Sequence, residues 1–443
     1  MFTMNQNQTQ GEVKKPDWYD GRSIHEPGLL NYIRSSHFIR CVNGRFYDEN
    51  EQPMEDPFLR QWIVDVLSQA GITVGLTRKS RDILELMRIQ WYYDPPKPKE
   101  LEVCVKNGIL NVSTLELDTR PCFCLNRLPV EYDPNAPEPR QFLGFLDQLL
   151  EKEDQKTLQE YLGYCLIPTN RAQKMLLLVG KGGEGKSTLG RVVSRLFGRK
   201  AMNGSIQKVS TNQFARADLE GKLVLIDDDM SMEALTQTHY FKTLITLEGE
   251  TDLEKKGVQS YQGRIYARFL AFSNGNLSAL YDHSLAFYRR QIVLRVKERQ
   301  TDRTDDPYLA EDMFDELPGI FNWCIRGLHR LVEQGFSFTI SASAKAYMEE
   351  QMRENNTVLS FLESDGYLVF EPDRSVTSAD LYDCYRHYCE ENSLPPASNS
   401  SFQKRFKELA GKYRLRATTH VPGRHGKSIR GYVGIRLAAP NGW

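Results

Sequence analysis

The 443-residue chain carries 57 Lys+Arg against 58 Asp+Glu, a net charge of −1. This excludes a uniformly basic nucleic-acid coat and confines any such contact to a local patch. Hydrophobic residues at 40 % and aromatics at 11 % supply real cores, in a length that holds two to four domains of roughly 100–200 residues each. No apolar run reaches the roughly 18 residues that cross a bilayer, and the eight cysteines make neither a disulfide framework nor paired C-x-x-C ligands. The expectation is a soluble, cytoplasmic protein with no membrane partner.

Residues 1–24 open with "MFTMNQNQTQGEVKKPD", polar and without the apolar centre of a signal peptide. They are expected to form a disordered tail, with Met4 as an alternative start. Residues 25–170 are expected to form an N-terminal α+β domain. Within it "WIVDVLSQAGI" and "RDILELMRIQ" have helical spacing, and "LEVCVKNGILNVSTLEL" reads as two strands around Asn107-Gly108. The Pro-rich "VEYDPNAPEP" is a connector, followed by a helically spaced run from Arg140 that Pro168 closes. "CFC" (Cys122, Cys124) and "CYRHYC" (Cys384, His387, Cys389) lack the four compatible ligands of a zinc site and read as packing. From 171 to 338 buried strands alternate with helices, which argues for a parallel sheet. Residues 339–443 are acidic and helical at first, then basic beyond Ala397.

"MLLLVGKGGEGKSTLGRVVSRLF" holds G-x-x-x-x-G-K-S from Gly180 to Ser187, between an apolar strand, Met175–Val179, and a helical pattern. Gly180, Lys181, Gly182, Gly183, Glu184, Gly185, Lys186, Ser187 and Thr188 would wrap a nucleotide's phosphates. The glycines turn the backbone so that N–H groups face phosphate oxygens at a helix N-terminus. Lys186 would reach the β- and γ-phosphates and Ser187 would ligate Mg²⁺, so ATP and Mg²⁺ are the expected ligands. In "GKLVLIDDDM" a buried run, Leu223–Ile226, ends in three aspartates. Asp227 is assigned to the metal and Asp228 to the attacking water, with Asp229 the alternative in register. "RFLAFSN" ends in Asn274, placed at a strand's carboxyl end to orient water or phosphate; by itself the same amide could cap a turn.

"DHSLAFYRRQIVLRV" puts Arg289 and Arg290 side by side before another buried strand. The two repel each other unless an anion waits nearby. Lys186 already serves the chain's own nucleotide, so the arginines read as reaching the γ-phosphate of a neighbouring subunit, where such a cation is worth 10³–10⁵ in rate. That implies head-to-tail subunits closing into a ring. Two surface arginines at a strand start are the plainer alternative.

In this order the motifs resemble the superfamily 3 helicases, a branch of the AAA+ ATPases, and more closely the helicase part of phage, plasmid and poxvirus primase-helicases. The resemblance spans roughly residues 100–335, with "ELPGIFNWCIRGLHRL" similar to the helical segment after the motor. It implies a P-loop AAA+ core and a DNA-gripping hairpin in "ITLEGETDLEKKGVQSYQG", with Lys255 and Lys256 at the tip. It also implies a homo-oligomeric ring, a hexamer with its arginine finger in trans, translocating 3′ to 5′ on single-stranded and forked DNA. A phage, plasmid or other mobile element in a bacterial host would use it. No Asp-x-Asp with a histidine partner precedes the motor, so a separate primase or replication initiator is the expected partner.

After residue 378 the pattern helix, helix, strand, basic Gly-rich loop "VPGRHGKS", strand suggests a winged helix. Lys404, Arg405 and Lys407 would face a groove of DNA; a solvated basic face is the alternative. The expected fold is therefore α/β: a P-loop AAA+ core with an N-terminal α+β domain and a C-terminal winged helix. Two other functions fit the residues. One is an ATP-dependent origin-binding initiator that unwinds poorly, and the other is a ring NTPase acting on RNA.

Overall fold

The computed structural model describes residues 16–94, 99–230, 243–257, 259–274, 288–299, 306–422 and 428–438, with 352–355 as backbone alone. The chain divides into Met1–Pro98 with Arg120–Leu125, and Lys99–Thr119 with Asn126–Trp443.

In the first unit, helix α1 (Glu26–Ser36) precedes strands β1 (Arg40–Val42), β2 (Arg45–Tyr47) and β3 (Pro53–Met54), then helices α2 (Asp56–Gln69) and α3 (Leu76–Gln90). The strands pair antiparallel in the order β1-β2-β3. The side chain of His25 caps α1 by accepting from the Gly28 amide at 3.2 Å, with a proline in the first turn, where no N–H is needed. Leu29, Ile33, Leu59, Ile63, Leu84 and Met87 close around Phe46. Trp18 is only 4 % exposed in the same core, so ordered structure begins inside the stretch expected to be tail. A buried indole contributes more apolar area than the polar residues around it can offset.

The second unit opens with β4 (Glu102–Val105), β5 (Gly108–Asn111) and β6 (Leu117–Asp118), in which β4 and β5 form the hairpin expected at Asn107-Gly108. The run from Arg140 is two helices, α4 (Arg140–Leu149) and α5 (Lys152–Tyr164). Leu150 is extended between them, and the Leu149 carbonyl accepts from the Lys297 amide at 2.9 Å. Residues 126–170, read from sequence as part of the N-terminal domain, thus pack in the second unit's core.

That core is organised by five parallel strands: β7 (Met175–Val179), β8 (Ala201–Asn203), β9 (Val224–Asp227), β12 (Arg268–Ser273) and β13 (Gln291–Arg295). Their spatial order is β13-β7-β12-β9-β8, and β10 (Glu250–Leu253) pairs with β11 (Tyr261–Arg264) as a separate antiparallel hairpin. The parallel sheet expected from the alternating pattern is present. Both its faces are covered, which is why β7 reads as a continuous apolar run. On one face Leu176, Leu178, Ile226 and Phe272 meet Leu189 and Val193 of helix α6 (Lys186–Phe197), together with α5 and helix α9 (Leu317–Glu333). On the other, Leu177, Leu225 and Ala271 meet helices α7 (Ile206–Thr211) and α8 (Gln213–Ala217).

Helices α5 and α9 cross backbone to backbone. A Cβ on Gly163 would stand 2.6 Å from the Leu328 amide, and one on Gly327 would strike the Gln159 carbonyl. Arg330 then pairs with the fully buried Glu160 at 2.6 Å, and Glu160 also accepts from the Thr339 amide at 2.7 Å.

The remainder runs through helices α10 (Ala342–Asn355) and α11 (Thr357–Glu363), β14 (Leu368–Val369), β15 (Ser375–Thr377) and helices α12 (Ser378–Glu391) and α13 (Asn399–Ala410). It ends in β16 (Arg416–Pro422), β17 (Ser428–Val433) and β18 (Arg436–Leu437). An antiparallel sheet in the order β15-β17-β16 packs under Phe361, Leu381, Tyr385, Phe402 and Phe406. Cys384 and Cys389 are buried in this core.

Because neither α5 nor α9 can retreat without breaking the Glu160–Arg330 pair, Gly163→Ala and Gly327→Ala should each destabilise the second unit. Overpacking of this kind costs about 1–3 kcal/mol. Urea unfolding should show a lowered midpoint at unchanged slope, whereas Gly335→Ala, where a Cβ meets no atom within 4 Å, should show only the smaller strain of its positive φ.

Candidate nucleotide-binding site

Parallel strands deliver their carboxyl ends to one edge of the sheet, where ligands gather in open α/β folds. At that edge β7 runs into the glycine-rich turn and α6 begins at Lys186. Gly182, Gly183 and Gly185 have φ of 112°, 81° and 115°, conformations that a Cβ would strain. The Gly180 amide donates to the Ser273 carbonyl at 3.1 Å, tying the turn to the end of β12. Asn274, the next residue, brings its Oδ1 to 4.0 Å from where a Cβ on Gly182 would stand.

Inside the turn lies a carboxylate. Glu184 is 3 % exposed and Lys186 6 %, and their side chains meet at 2.6 Å. The other Glu184 oxygen accepts from the amides of Lys181 and, at 2.7 Å, Gly182. Burial alone would raise this carboxyl, but Lys186 and the turn's own amides outweigh it and hold it below its ordinary range. Ser187 is exposed and Thr188 half-buried in the first turn of α6.

The three aspartates separate by strand parity. Asp227 shares the face of Leu225: it is buried, and its Oδ2 accepts from the Ile206 amide at 2.7 Å, at the start of α7. Asp228 follows Ile226 onto the α6 face, with Oδ1 3.7 Å from where a Cβ on Gly190 would stand, one turn beyond Lys186. Asp228 and Asp229 are exposed. Burial pushes the Asp227 carboxyl up; the amides of Ile206 and Asp229 pull it back, and the charges of Asp229 and Asp228 raise it again.

Arg299 and Glu298, both at this edge, were not singled out in the sequence. Arg299, beyond β13, places a guanidinium nitrogen 3.3 Å from where a Cβ on Gly183 would stand, and Lys181 pairs with Glu298 at 2.6 Å on the surface. The charged run "VKERQ" directly after an apolar strand was the available signal.

Arg289 and Arg290 stand at the opposite, amino edge. The Met175 amide donates to the Arg290 carbonyl at 2.8 Å, and Lys174 donates to the carbonyl of Arg289. At roughly 3.3 Å per strand residue they are about 15–20 Å from their own chain's glycine-rich turn. Burial, then the charges of Arg289 and Arg290, lower the Lys174 pKa. Arg289 is exposed and Arg290 half-buried.

Farther off, Lys255 and Lys256 lie in the turn between β10 and β11. Lys255 is held by Glu220 at 2.8 Å, which also accepts from the Tyr261 hydroxyl at 2.8 Å, while Lys256 is exposed. Lys404 and Lys407 are exposed on α13 and Arg405 is half-buried there; the basic loop residues Arg424 and Lys427 lie outside the described residues. Among the described residues no cluster of three or more His, Cys, Asp or Glu could hold a metal ion, and no helix is long and apolar enough to cross a membrane.

Residues 178–290 match a family described as being of unknown function (DUF5906). Residues 353–427 match the Poxvirus D5 protein-like family. Among solved structures the chain is similar to the apo structure of the NrS-1 C-terminal region (305–718), with a TM-score of 0.52 and 14 % identity over 91 % of this chain and 98 % of that one. The A form apo structure of that region gives 0.51 and 12 % with the same coverage. At such identities the likeness is one of fold. No curated protein matches the sequence.

The raised Asp227 carboxyl has a stability consequence. A carboxylate whose folded pKa lies above its ordinary 3.8 loses stability as pH rises through the folded value, and the loss is complete above it. Asp227→Asn, which keeps an acceptor for the Ile206 amide, should therefore melt above the wild type at pH 8. The gap should close as pH falls below the ordinary carboxylate value, and thermal melts of the nucleotide-free chain across that range would test it.

Proposed function

We propose that this protein is an ATP-driven DNA helicase of a replication system, related to primase-helicases and built on a P-loop AAA+ core. The observation that supports the reading best is the division of labour between the sheet's two edges. The glycine-rich turn, Asn274 and Asp228 converge at the carboxyl edge, while Arg289 and Arg290 stand on the far side of the same strands. Arginines so placed are out of reach of their own chain's nucleotide and suited to the next subunit's, as a head-to-tail ring requires.

In this reading the turn's amides and Lys186 hold the phosphates. Ser187 and Asp228, which share the α6 side of the sheet, are the donors suited to Mg²⁺, in place of the buried Asp227 that the sequence suggested. A bound Mg²⁺ would neutralise phosphate charge. Asp227 then fixes the start of α7, Asp229 is the remaining candidate to polarise the attacking water, and Asn274 orients that water. Arg289 or Arg290 supplies positive charge from the adjacent subunit as the terminal phosphate leaves. The β10–β11 turn offers exposed Lys256 to a DNA strand, with Lys255 reaching it once released from Glu220.

The Poxvirus D5 protein-like match over residues 353–427 and the succession helix, two strands, two helices, two strands from α11 to β17 support a winged helix that touches duplex DNA. Each phosphate contact there adds about one to the slope of affinity against salt. Lys404→Ala with Lys407→Ala should lower that slope by about two without changing sequence preference, as measured by duplex-binding titrations across salt concentrations.

Unwinding of a forked DNA duplex, with ATPase measured with and without single-stranded DNA, tests the function. Lys186→Ala and Arg289→Ala should each lose at least 10³-fold of the stimulated ATPase, and a mixture of the two should regain part of it, because a complete site forms wherever the intact Lys186 of an Arg289→Ala subunit faces the intact Arg289 of a Lys186→Ala subunit. Tight ATP-dependent duplex binding without unwinding would instead favour an origin-binding initiator.

A further inference from the structure

Lys186 already has an anion in contact, and it comes from the same turn. Glu184 is buried beside it at 2.6 Å, and its second oxygen takes the amides of Lys181 and Gly182. A Cβ on Gly180 would stand 2.6 Å from the Glu184 oxygen, so the carboxylate folds back against the start of the turn. These partners are an ammonium and successive backbone N–H groups, the donors that a phosphate takes when it enters such a turn. We infer that Glu184 is an affinity-setting residue: an internal competitor for Lys186 that a nucleotide's phosphates must displace. The inference rests on the nucleotide reading above.

Two physical points carry it. Buried lysine is costly without a counter-charge, so Glu184 supplies one to Lys186 at 2.6 Å and keeps the turn shaped while no nucleotide is present. Once a polyphosphate shares Lys186, two anions stand within a few ångströms of one another in a poorly solvated place, and their repulsion grows as water is excluded. The carboxylate therefore stabilises the empty turn and weakens the filled one. Product leaves more easily, and the turn re-forms around its own anion. A neutral side chain in this position would have the opposite effect: a less ordered empty turn and a tighter grip on phosphate.

Glu184→Gln keeps the length and the acceptor for the amides but removes the charge; Glu184→Ala removes both. ADP binding, with inorganic pyrophosphate as a second probe, should be measured by calorimetry on the full chain for wild type and both variants. Circular dichroism melts without ligand would accompany it. The expectation is at least tenfold tighter ADP and pyrophosphate binding by Glu184→Gln, a lower melting temperature without ligand, and an ATPase whose KM and kcat both fall because product lingers. Equal or weaker binding by Glu184→Gln, with wild-type ADP binding intact, would make Glu184 a brace for the turn and overturn the competitor role alone. No ADP binding by wild type or either variant would reject the nucleotide reading and this inference together.

Discussion

The register of strand β7 between β13 and β12 is the constraint on which the rest depends. Met175 lies opposite Gln291 and Leu176 opposite Leu270, and with both faces buried a slip of one residue would move every side chain of β7 into the opposite layer. That register fixes two things at once. At one end it sets the glycine-rich turn beside the end of β12, and at the other it locks the two arginines to Lys174 and Met175. A single five-residue strand thus determines the spacing between the glycine-rich turn and the cations of the opposite edge.

Local features were legible in the sequence because their causes are local. The glycine turn follows from φ values that only glycine adopts easily, the buried strands from uninterrupted apolar runs, and the β4–β5 hairpin from Asn107-Gly108. Features that depend on tertiary placement were not. Three adjacent aspartates look equivalent as text, and only the alternation of β9 separates Asp227, turned to α7, from Asp228, turned to α6. Lys255 reads as a hairpin tip, yet its partner Glu220 is 35 positions away. Trp18 sits in a polar stretch whose composition gives no hint of the core it enters. Glu184 was visible as a member of the motif, but its contact with Lys186 needed the turn's actual path.

A common electrostatic theme links Lys186 and Lys255. Lys186 and Lys255 both rest on carboxylates of the same chain, one pair buried and the other partly exposed. Burial separates their strengths: the exposed pair is worth little in water and is screened by salt, whereas the buried one cannot lose a partner without gaining another. Lys186 and Lys255 are therefore held differently, the first firmly and the second loosely.

The backbone-to-backbone crossing of α5 and α9 bears on how displacement travels. Where side chains separate two helices, rotamer changes absorb small shifts; at Gly163 and Gly327 there is nothing to rotate. A tilt of α9 must then be carried by α5 as a stiff lever. The last turn of α5 holds the Tyr164 carbonyl, which accepts from Arg268 at 2.9 Å, and the buried guanidinium also lies over the Tyr164 ring. Arg268 begins β12, the strand that ends beside Asn274. The helical layer behind the sheet is thereby geared to the strand that leads into Asn274, with no compliant joint between them.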